Sequence, residues 1–482
     1  MRSFVPVLPL IALLGACTLG PDYAGPPQMS GAAAPPAGFV RAGPATSAEA
    51  PAAARWWTAL GDPLLDRLEE QALAGNPGIA VAEARLRQAR AQLRLDRANQ
   101  RPSLGTSGTM VQAELPGLNI GESQAGGSGG EAGGDASSVS FYNVGLDASW
   151  EIDLFGGGRR TIEATRAGVG AAEANVADAQ VRLSAEVAQA YVALRDRQQR
   201  LTLTREAAEL QRQMLALTRQ RFERGAASQL DVERLQGQVE TSEAQAVPLQ
   251  AEIDSHLNAL AVLTGAAPGA LDRMLAAPAA VPLPPAEVAI GDPAALLQRR
   301  PDIRAAERQL AAANAKIGVA EASRFPRLSF MGILGLGGTS PGDVVDLGNL
   351  AALAIPRLTW SFLDFGRGAA RVEQAQGARD EAEATYRQVV LAALQDAEDS
   401  LSRFGHRRET VANAARQLAT AERVAGLTGQ RFAAGTATRI DALDAQGRQI
   451  EAQANLTAAS AALTADFIAV HKALGLGWGD EG

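Results

Sequence analysis

The chain has 482 residues, a formal net charge of −8 and a pI near 5.2, and this acidic balance excludes the basic footprint of a nucleic-acid-binding protein. It is 46% hydrophobic but only 4% aromatic, which favours long, closely packed helices over a bulky globular core. Cys17 is the single cysteine, so the chain has no intramolecular disulfide framework.

The N-terminal residues predict export and a lipid anchor. Residues 1–16, MRSFVPVLPLIALLGA, combine an early arginine, an apolar run and small residues, which is typical of a secretory signal peptide and too short to span a membrane. The run LGAC that ends at Cys17 resembles a lipobox, which predicts lipidation of Cys17; ordinary cleavage beside an incidental cysteine is the alternative. Thr18 follows in place of the aspartate that retains such lipoproteins in the inner membrane, so we expect outer-membrane sorting.

Two helices are predicted after an Ala-, Pro- and Gly-rich tether. The stretch WWTALGDPLLDRLEEQALAGNP (56–77) places leucines at helical spacing, which indicates the first helix. The second runs from about Pro77 to Asn99, because Pro102 stops it.

The period then changes from helix to strand. In FYNVGLDASWEIDL apolar and polar residues alternate strictly, which predicts a strand at about 141–154 with one dry face and one wet face. A weaker strand is predicted at about 103–112. The Gly-rich segment 126–135 is predicted to be the loop between them.

A very long helix is predicted next. No proline interrupts the helical pattern from Gly158 to about Arg224, and such a helix of ~65 residues would be on the order of 100 Å long. Gly225 ends it, and Ser228 opens the following helix, which runs to about Leu263. A helix of this length does not belong to a compact globule.

The second half of the chain repeats the first. The stretch RPDIRAAERQLAAANAKIGVAEASRFPRL (300–328) aligns with NPGIAVAEARLRQARAQLRLDRANQRPSL (76–104), and further along Trp360 corresponds to Trp150. The duplicated unit is helix, two strands, long helix, turn and helix. The predicted organisation is a signal peptide (1–16), a lipidated tether or equatorial segment (17–55), a first repeat (56–264) with its turn at 225–228, a linker or equatorial segment (265–300), a second repeat (301–473) with strands at about 327–337 and 352–363 and its turn at 435–438, and a C-terminal tail (474–482).

The two repeats contain similar turns, with the sequences RFERGAASQLDVERLQ (221–236) and RFAAGTATRIDALDAQ (431–446). In each, a hydroxyl residue stands three positions before an aspartate, which predicts a capping box at the start of a helix. The predicted pairs are Ser228 with Asp231 and Thr438 with Asp441. Asp444 lies one turn deeper on the same helix face as Asp441, beyond capping range.

Four amphipathic strands constrain how the chain can meet a membrane. Each is near the length of ~10 residues that a tilted membrane strand needs. Four strands cannot close, because the smallest membrane barrels have about eight, and an open edge in lipid leaves backbone groups unpaired. Several chains must therefore pool their strands, and three chains would supply twelve.

The chain resembles outer membrane efflux proteins of the TolC family, in their lipoprotein branch of NodT-type outer membrane factors of RND efflux systems. The resemblance is carried by CTLGPDY (17–23), WWTALGDPLLDRLEEQALAGNP (56–77), WEIDLFGGGRR (150–160), TWSFLDFGRG (359–368) and the two turns. It implies a mainly α protein with a membrane β-barrel: a homotrimer with a twelve-stranded barrel, four strands per chain, and an α-helical barrel. It also implies passive conduction of drugs or other small solutes across the outer-membrane lipid, without a cofactor, from an inner-membrane RND-type transporter and a periplasmic adaptor (membrane fusion) protein.

The resemblance assigns roles to residues in both turns. It implies a periplasmic gate at Asp444, Asp441 and Ile440, and adaptor-docking tips at Gly225, Ser228, Asp231, Gly435 and Thr436. Ala437 stands where some members carry a gate-latching arginine, so we expect the latch to be absent or built from Arg439 or Arg431. For Asp231 and Asp441, a purely structural role as helix caps is the alternative.

Other functions were weighed against this one. The histidines His256, His406 and His471 are scattered, with no metal-binding or catalytic spacing, and are each expected on a helix surface; neither an enzyme nor a metal site is predicted. A type I protein-secretion duct is the alternative within the channel class. A lipid-anchored periplasmic coiled-coil scaffold would explain the helices and Cys17, but not the four alternating strands.

Overall fold

The computed structural model of the chain describes residues 18–29, 36–51, 54–115 and 137–479. The predicted signal peptide, Cys17 and the Gly-rich segment 126–135 lie outside these residues. The helices are α1 (Pro63–Gly75), α2 (Pro77–Asn99), α3 (Gly157–Glu223), α4 (Gln229–Leu263), α5 (Asp272–Leu275), α6 (Pro293–Arg299), α7 (Pro301–Ala322), α8 (Arg367–Ala433) and α9 (Arg439–Ala473). The strands are β1 (Thr46–Ser47), β2 (Ser103–Leu115), β3 (Ser137–Ile152), β4 (Val288–Ala289), β5 (Arg327–Gly338) and β6 (Leu350–Thr359).

The two halves of this mainly helical chain have the same succession of elements. The long helices α3 and α8 have 67 residues each, and the helices that follow them, α4 and α9, have 35 residues each. Helix α2 has its counterpart in α7, since both begin at a proline, which tolerates the first helical position. The duplication predicted from the sequence is therefore present in the fold, residue for residue in the long helices.

The four long strands form one antiparallel sheet in the order β2-β3-β5-β6. Within each repeat two strands form a hairpin, and β3 pairs with β5 to join the hairpins. Strands β2 and β6 are consequently the two edges of the sheet. Short β1 and β4 form a separate parallel pair.

The last strand differs from the prediction at about 352–363, because β6 ends at Thr359. Its ladder with β5 stops at the pair Arg327–Thr359, and the residue before Arg327 is Pro326, which has no N–H to continue the ladder. The equivalent strand of the first repeat, β3, extends further because β5 pairs with it as far as Ile152, whereas β6 has β5 as its single strand partner among the described residues. Trp360 and Phe362, which lie within the predicted range 352–363, are beyond the end of the strand.

The chain divides into two compact units. One consists of Met1–Gly25, Gln88–Val169 and Arg308–Glu383 and contains the four-stranded sheet. The other consists of Pro26–Arg87, Gly170–Glu307 and Ala384–Gly482 and contains both turns that join long helices to shorter ones.

The core of the second unit is built around the WWTAL segment. Trp56 and Trp57 are 2% and 1% exposed, and they pack edge to face at 5.9 Å between ring centroids. Phe467 of α9 packs edge to face on Trp56 at 6.1 Å. Such buried aromatic pairs stabilise a core beyond the area they bury.

His471 corrects one prediction, because it lies in this core instead of on a helix surface. Its ring stacks on Trp56 at 5.1 Å, contacts Phe467 at 4.1 Å and is 5% exposed. The Nδ1 atom is 2.9 Å from the carbonyl oxygen of Phe467, which makes Nδ1 the donor. Burial lowers the pKa of His471 to about 4, against the smaller opposing effect of that hydrogen bond, so the ring is neutral at pH 7. His256 is half-buried and His406 is exposed.

A carboxyl group is also buried in this unit. Glu69 on α1 is fully buried, and within the described residues neither of its carboxylate oxygens has a hydrogen-bond partner. Burial, with a smaller contribution from the neighbouring charge of Asp66, raises the pKa of Glu69 well above its usual value. Unpartnered buried polar atoms cost stability.

Replacing Glu69 with Met should therefore stabilise the protein. Because the substitution removes the unpartnered oxygens and keeps a similar length, we expect the free energy of unfolding to rise by about 1–3 kcal/mol at pH 7. The measurement is thermal denaturation of the detergent-extracted protein. The matched control is Glu70→Met, since Glu70 is exposed and its carboxylate pairs with Arg55; this variant should be neutral or slightly destabilised. A loss of stability in Glu69→Met would contradict the prediction.

No helix within the described ranges is both long and apolar enough to cross a lipid bilayer.

Candidate functional site: two helical turns and an anchored N-terminal segment

The first turn lies between α3 and α4. Gly225 adopts a left-handed conformation with φ of 74°, which favours glycine because a Cβ would be strained there. Its N–H donates to the carbonyl of Phe222 at 2.8 Å, and the N–H of Ala226 donates to that of Arg221 at 2.7 Å. These bonds satisfy the last carbonyls of α3 and stop the helix.

The second turn, between α8 and α9, repeats this geometry. Gly435 has the same φ of 74°. The N–H of Gly435 donates to the carbonyl of Phe432 at 2.9 Å, and that of Thr436 to Arg431 at 2.8 Å. Thus the sequence pattern shared by the two turns corresponds to one backbone structure, used twice.

Both predicted capping boxes are confirmed. The N–H of Asp231 donates to Ser228 Oγ at 3.2 Å, and the N–H of Ser228 donates back to Asp231 Oδ2 at 3.0 Å. In the second turn, the N–H of Asp441 donates to Thr438 Oγ1 at 3.2 Å, and the N–H of Thr438 donates to Asp441 Oδ2 at 2.8 Å. Each aspartate therefore has a structural role at the start of its helix.

These bonds also keep the two capping aspartates charged. Hydrogen bonds from the side chain and backbone of Ser228 lower the pKa of Asp231, and hydrogen bonds from the backbone and side chain of Thr438 lower the pKa of Asp441. Arg221, from the first turn, contributes to the lowering for Asp441. Both carboxylates consequently carry fixed negative charge over the physiological pH range.

Asp444 differs from Asp441 because its carboxylate is not part of the capping box. Its carboxylate lies 3.1 Å from the guanidinium of Arg448, one turn further along α9, and its side chain is 52% exposed. Ala442 and Leu443 beside it are buried, so α9 is fixed at this level while the Asp444 carboxylate remains accessible. The two predicted gate aspartates thus have different partners: Asp441 bonds to Thr438, the N-cap of α9, and Asp444 pairs with Arg448 within α9.

Asp444 also lines a cleft of 880 Å³ between α3, α4 and α9. Arg234, Arg448 and Glu451 line the same cleft together with apolar side chains of the three helices. The cleft therefore offers both signs of charge near the predicted gate.

The remaining residues of the turns are placed as follows. All five predicted tip residues, Gly225, Ser228, Asp231, Gly435 and Thr436, are exposed. Ile440 and Ala437 are half-buried. The Arg439 guanidinium lies 5.7 Å from the Phe432 ring, an arrangement that holds it against its own turn.

A second feature lies in the first unit, where Arg160 binds the N-terminal segment. The Arg160 side chain is 4% exposed. Its guanidinium donates to the carbonyl of Leu19 at 3.0 Å, to the carbonyl of Gly20 at 3.0 Å and to Asp22 Oδ1 at 2.7 Å. It also pairs with Glu163 at 2.7 Å, so one arginine fixes Leu19, Gly20 and Asp22 to the start of α3.

Close backbone contacts support this attachment. A Cβ built on Gly318 of α7 would come within 2.6 Å of the Leu19 carbonyl oxygen, and one on Gly156 within 2.9 Å of Thr18. The N–H of Leu19 donates to the Phe155 carbonyl at 3.3 Å. The residue that follows Cys17 therefore lies against the junction between β3 and α3.

Comparison with known proteins identifies the chain. The family model described as "Outer membrane efflux protein" matches residues 68–266 and 293–476, which together are most of the chain and correspond to the two repeats. The chain belongs to the outer membrane efflux protein family. As a member, it is an outer-membrane efflux channel.

Relatives resemble this outer membrane efflux protein over nearly its whole length. Nodulation protein T of Rhizobium leguminosarum bv. trifolii is 30% identical over 469 residues, which cover 97% of this chain and 96% of that protein. Outer membrane protein OprJ of Pseudomonas aeruginosa is 32% identical over 482 residues, covering 98% and 95%. The solved structure of the outer-membrane channel OprN has a TM-score of 0.85 and 33% identity, covering 96% of this chain and 100% of that one.

The sequence analysis of this efflux protein did not single out two arginines of these features, Arg448 and Arg160. Arg448 could have been found, since an acid and a base four residues apart on one helix face are a recognised pairing pattern. The contact of Arg160 with the N-terminal segment could not be found, because its partners Leu19, Gly20 and Asp22 lie 138 to 141 residues away along the chain, although both stretches, CTLGPDY and WEIDLFGGGRR, carry the resemblance. Within the described residues, no group of three or more His, Cys, Asp or Glu side chains is arranged to hold a metal ion.

Replacing Arg160 with Ala is expected to release the N-terminal segment of the efflux protein. Hydrogen bonds to a charged group contribute about 1.5–3 kcal/mol, so their loss should speed amide hydrogen exchange of residues 18–22 by about tenfold or more. Hydrogen–deuterium exchange with mass spectrometry measures this. The adjacent Arg159→Ala is the matched control, because Arg159 pairs with Asp153 and should leave the segment protected. Equal exchange in the wild type and Arg160→Ala would disprove the role of Arg160.

Proposed function

We propose that this outer-membrane efflux channel is a homotrimer in which three four-stranded sheets pool into a twelve-stranded barrel. The observation that carries the proposal is the sheet order, since β2 and β6 each lack a second strand partner within the described residues. A sheet with two open edges is unfavourable in lipid, and closing it with copies of itself pairs both edges. The helices of the three chains would form an α-helical barrel that continues the conduit.

The gate is proposed at the start of α9. Three copies of Asp444, Asp441 and Ile440 around one axis would form a constriction with an acidic ring and an apolar ring. The exposure of the Asp444 carboxylate and the permanent charge of Asp441 support this assignment. The bond from Arg448 to Asp444 reduces repulsion among the carboxylates, and so favours close approach of the three chains.

The two turns are proposed as the docking tips for a periplasmic adaptor protein. Gly225, Ser228 and Asp231 in one turn, with Gly435 and Thr436 in the other, are exposed and rigidly capped, which suits them to contact a partner. An adaptor and an inner-membrane RND-type transporter would supply the energy and dilate the mouth. Conduction of drugs or other small solutes through the channel itself would be passive.

A lipid anchor at Cys17 completes the proposal. Thr18, the next residue, is held where β3 ends and α3 begins, which is the level at which a membrane-embedded sheet gives way to helices. A palmitoylated or otherwise acylated Cys17 at this level would reach outer-membrane lipid directly.

Native mass spectrometry of the protein extracted from outer membranes tests the proposal. We expect a trimer whose chains begin at Cys17 and each carry added lipid mass. A stable monomer would contradict the trimeric channel. A trimer without lipid mass would retain the channel and contradict the anchor.

A further inference from the structure

Helix α2 carries a row of exposed arginines just before strand β2 begins. Arg94 and Arg97 lie three residues apart on the helix, and Arg101 follows four residues later, directly after its last turn. This spacing places the three side chains on one side of the helix. Within the described residues, none of the three guanidinium groups has an ion-pair or hydrogen-bond partner. These three residues form the arginine face of α2.

The nearest carboxylate on the helix does not neutralise this face. Asp96 lies on the half-buried side of α2, where Thr165 of α3 donates to its Oδ2 atom at 2.6 Å. Gln92 Nε2 donates to its Oδ1 atom at 2.9 Å. Both oxygens of Asp96 are therefore engaged away from the arginines, and the positive charges of the arginine face remain available to a partner.

The arginine face lies where the sheet gives way to helix. Strand β2 begins at Ser103, two residues after Arg101. The indole N–H of Trp150, on the neighbouring strand β3, donates to the carbonyl of Gln100 at 3.1 Å. Indole rings of membrane proteins concentrate at the level of the lipid headgroups. With the sheet in lipid, the arginine face would begin at this level and extend about 10 Å towards the periplasm.

The second repeat shows which side of the fold this face occupies. The counterparts of Arg94 and Arg97 on α7 are Gly318 and Glu321. The N-terminal segment lies on both, because a Cβ built on Gly20 would come within 2.4 Å of Gly318 Cα and 3.5 Å of Glu321 Oε2. The side of α7 that corresponds to the arginine face is thus covered by the segment of the proposed lipid anchor.

The two helices meet the sheet in the same way, which supports this comparison. Trp360, the counterpart of Trp150, donates its indole N–H to the carbonyl of Arg324 at 3.0 Å. Arg324 is in turn the counterpart of Gln100. Equivalent sides of α2 and α7 therefore have the same orientation with respect to the sheet. On α7 this side binds the anchored segment, and on α2 it is exposed.

We propose that the arginine face of α2 binds the phosphate groups of anionic phospholipids in the periplasmic leaflet of the outer membrane. The inference goes beyond the proposed channel and rests on its sheet lying in lipid. Each guanidinium presents a planar fork of donors that matches phosphate oxygens, and basic clusters beside membrane segments bind anionic lipids. The lipid would take, on α2, the place that the N-terminal segment takes on α7.

Native mass spectrometry of the delipidated protein with defined lipids tests this surface. The probes are anionic phosphatidylglycerol and phosphatidylcholine with the same acyl chains, whose choline offsets the phosphate charge. The test variant combines Arg94→Gln, Arg97→Gln and Arg101→Gln. We expect each replacement to weaken phosphatidylglycerol binding about fivefold, because each arginine near a lipid surface contributes to the attraction of anionic headgroups. Phosphatidylcholine binding should be unchanged.

Three further variants serve as controls. A triple variant of exposed arginines in the other unit, Arg205→Gln with Arg416→Gln and Arg423→Gln, removes the same charge and should retain phosphatidylglycerol binding. Lysine at all three positions of the arginine face should retain most of the binding but not all, since an ammonium group lacks the bidentate fork. The single variant Arg97→Gln should show the fivefold loss even if the triple variant assembles poorly.

The outcomes separate the arginine face from the trimer. A trimer that binds phosphatidylglycerol equally with and without the three arginines would overturn the lipid site and leave the trimer standing. A monomer that loses this binding on substitution would overturn the trimer and leave the lipid site standing.

Two other occupants of the arginine face would also overturn the proposal. With lipid binding unchanged, weaker sedimentation of the triple variant with purified peptidoglycan sacculi would assign the face to the cell wall. With lipid binding unchanged, a lower dissociation temperature of the trimer would assign the face to a contact between copies of the chain.

Discussion

Replacing Asp444 with Ala is expected to increase the conductance of the resting channel and the leak of antibiotics through it. Alanine would remove both the side chains that narrow the proposed mouth and the Asp444–Arg448 ion pairs that offset their repulsion, whereas the helix start, capped by Thr438 and Asp441, would remain intact. A change of about 1.4 kcal/mol in the equilibrium between closed and open mouths would raise the open population about tenfold. Planar-bilayer recordings and antibiotic susceptibility of the producing cells measure the two effects.

Three variants separate the gate from the cap. Asp441→Ala removes a gate aspartate and a capping box, and Asp231→Ala removes the equivalent box in the other turn without touching the acidic stretch. If capping alone controlled the mouth, Asp231→Ala and Asp441→Ala would behave alike. Arg448→Ala releases the Asp444 carboxylate from its ion pair and should increase cation selectivity. Unchanged conductance and leak in both Asp444→Ala and Asp441→Ala would show that the gate assignment is wrong.

Acid should destabilise the protein through His471, and His471→Phe should remove this sensitivity. The pKa of His471 is about 4 in the folded protein against 6.5 for the free side chain, so the unfolded state binds the extra proton between these values. The stability from the neutral buried ring is complete above pH 6.5 and is lost as the pH falls towards 4, by about 3 kcal/mol in all. The measurement is the Tm of the detergent-solubilised protein between pH 7 and pH 4.5.

The exposed His406 supplies the matched control for this prediction. His406→Phe should keep the acid-induced fall in Tm, and His471→Phe should flatten it. His471→Leu guards against a specific effect of the new aromatic ring. Glu69 has the opposite sign, because its raised pKa means that protonation at low pH relieves the cost of its burial. Glu69 is therefore left unchanged in these variants, so that a weaker dependence of Tm on pH in His471→Phe is attributable to His471. An unaltered dependence of Tm on pH would disprove the role of His471.

Local signals determined most of what the sequence could predict. The glycines at 225 and 435 and the paired hydroxyl and acidic residues define both turns within ten residues, so helix ends and capping boxes followed from the sequence alone. The strict alternation of apolar and polar residues at 141–154 predicted strand β3. The gate assignment came from resemblance, and the structure adds the partner of Asp444 and the burial around it.

Long-range packing determined what the sequence could not. His471 sits on α9 with no local mark of burial; its environment comes from Trp56, more than four hundred residues away along the chain. Glu69 shares the helix face of Leu65 and Ala72, whereas Glu70 does not, so helical spacing places Glu69 on the buried face. The sequence does not show that, within the described residues, its carboxylate has no hydrogen-bond partner there. The end of β6 is set by its ladder with β5, which stops at the pair Arg327–Thr359 beside Pro326, and no local signal within 352–363 marks that end.

The equal lengths of the paired helices limit how such a chain can change. One residue inserted into α3 alone would turn everything after it by about 100° about the helix axis and advance it by about 1.5 Å. The side chains of the first turn would then point in another direction, while the side chains of the second turn would keep their direction. Changes in length are therefore expected to be tolerated only outside the helices, and a designer who wishes to lengthen the helical region has to add whole, matched turns to α3, α4, α8 and α9 together.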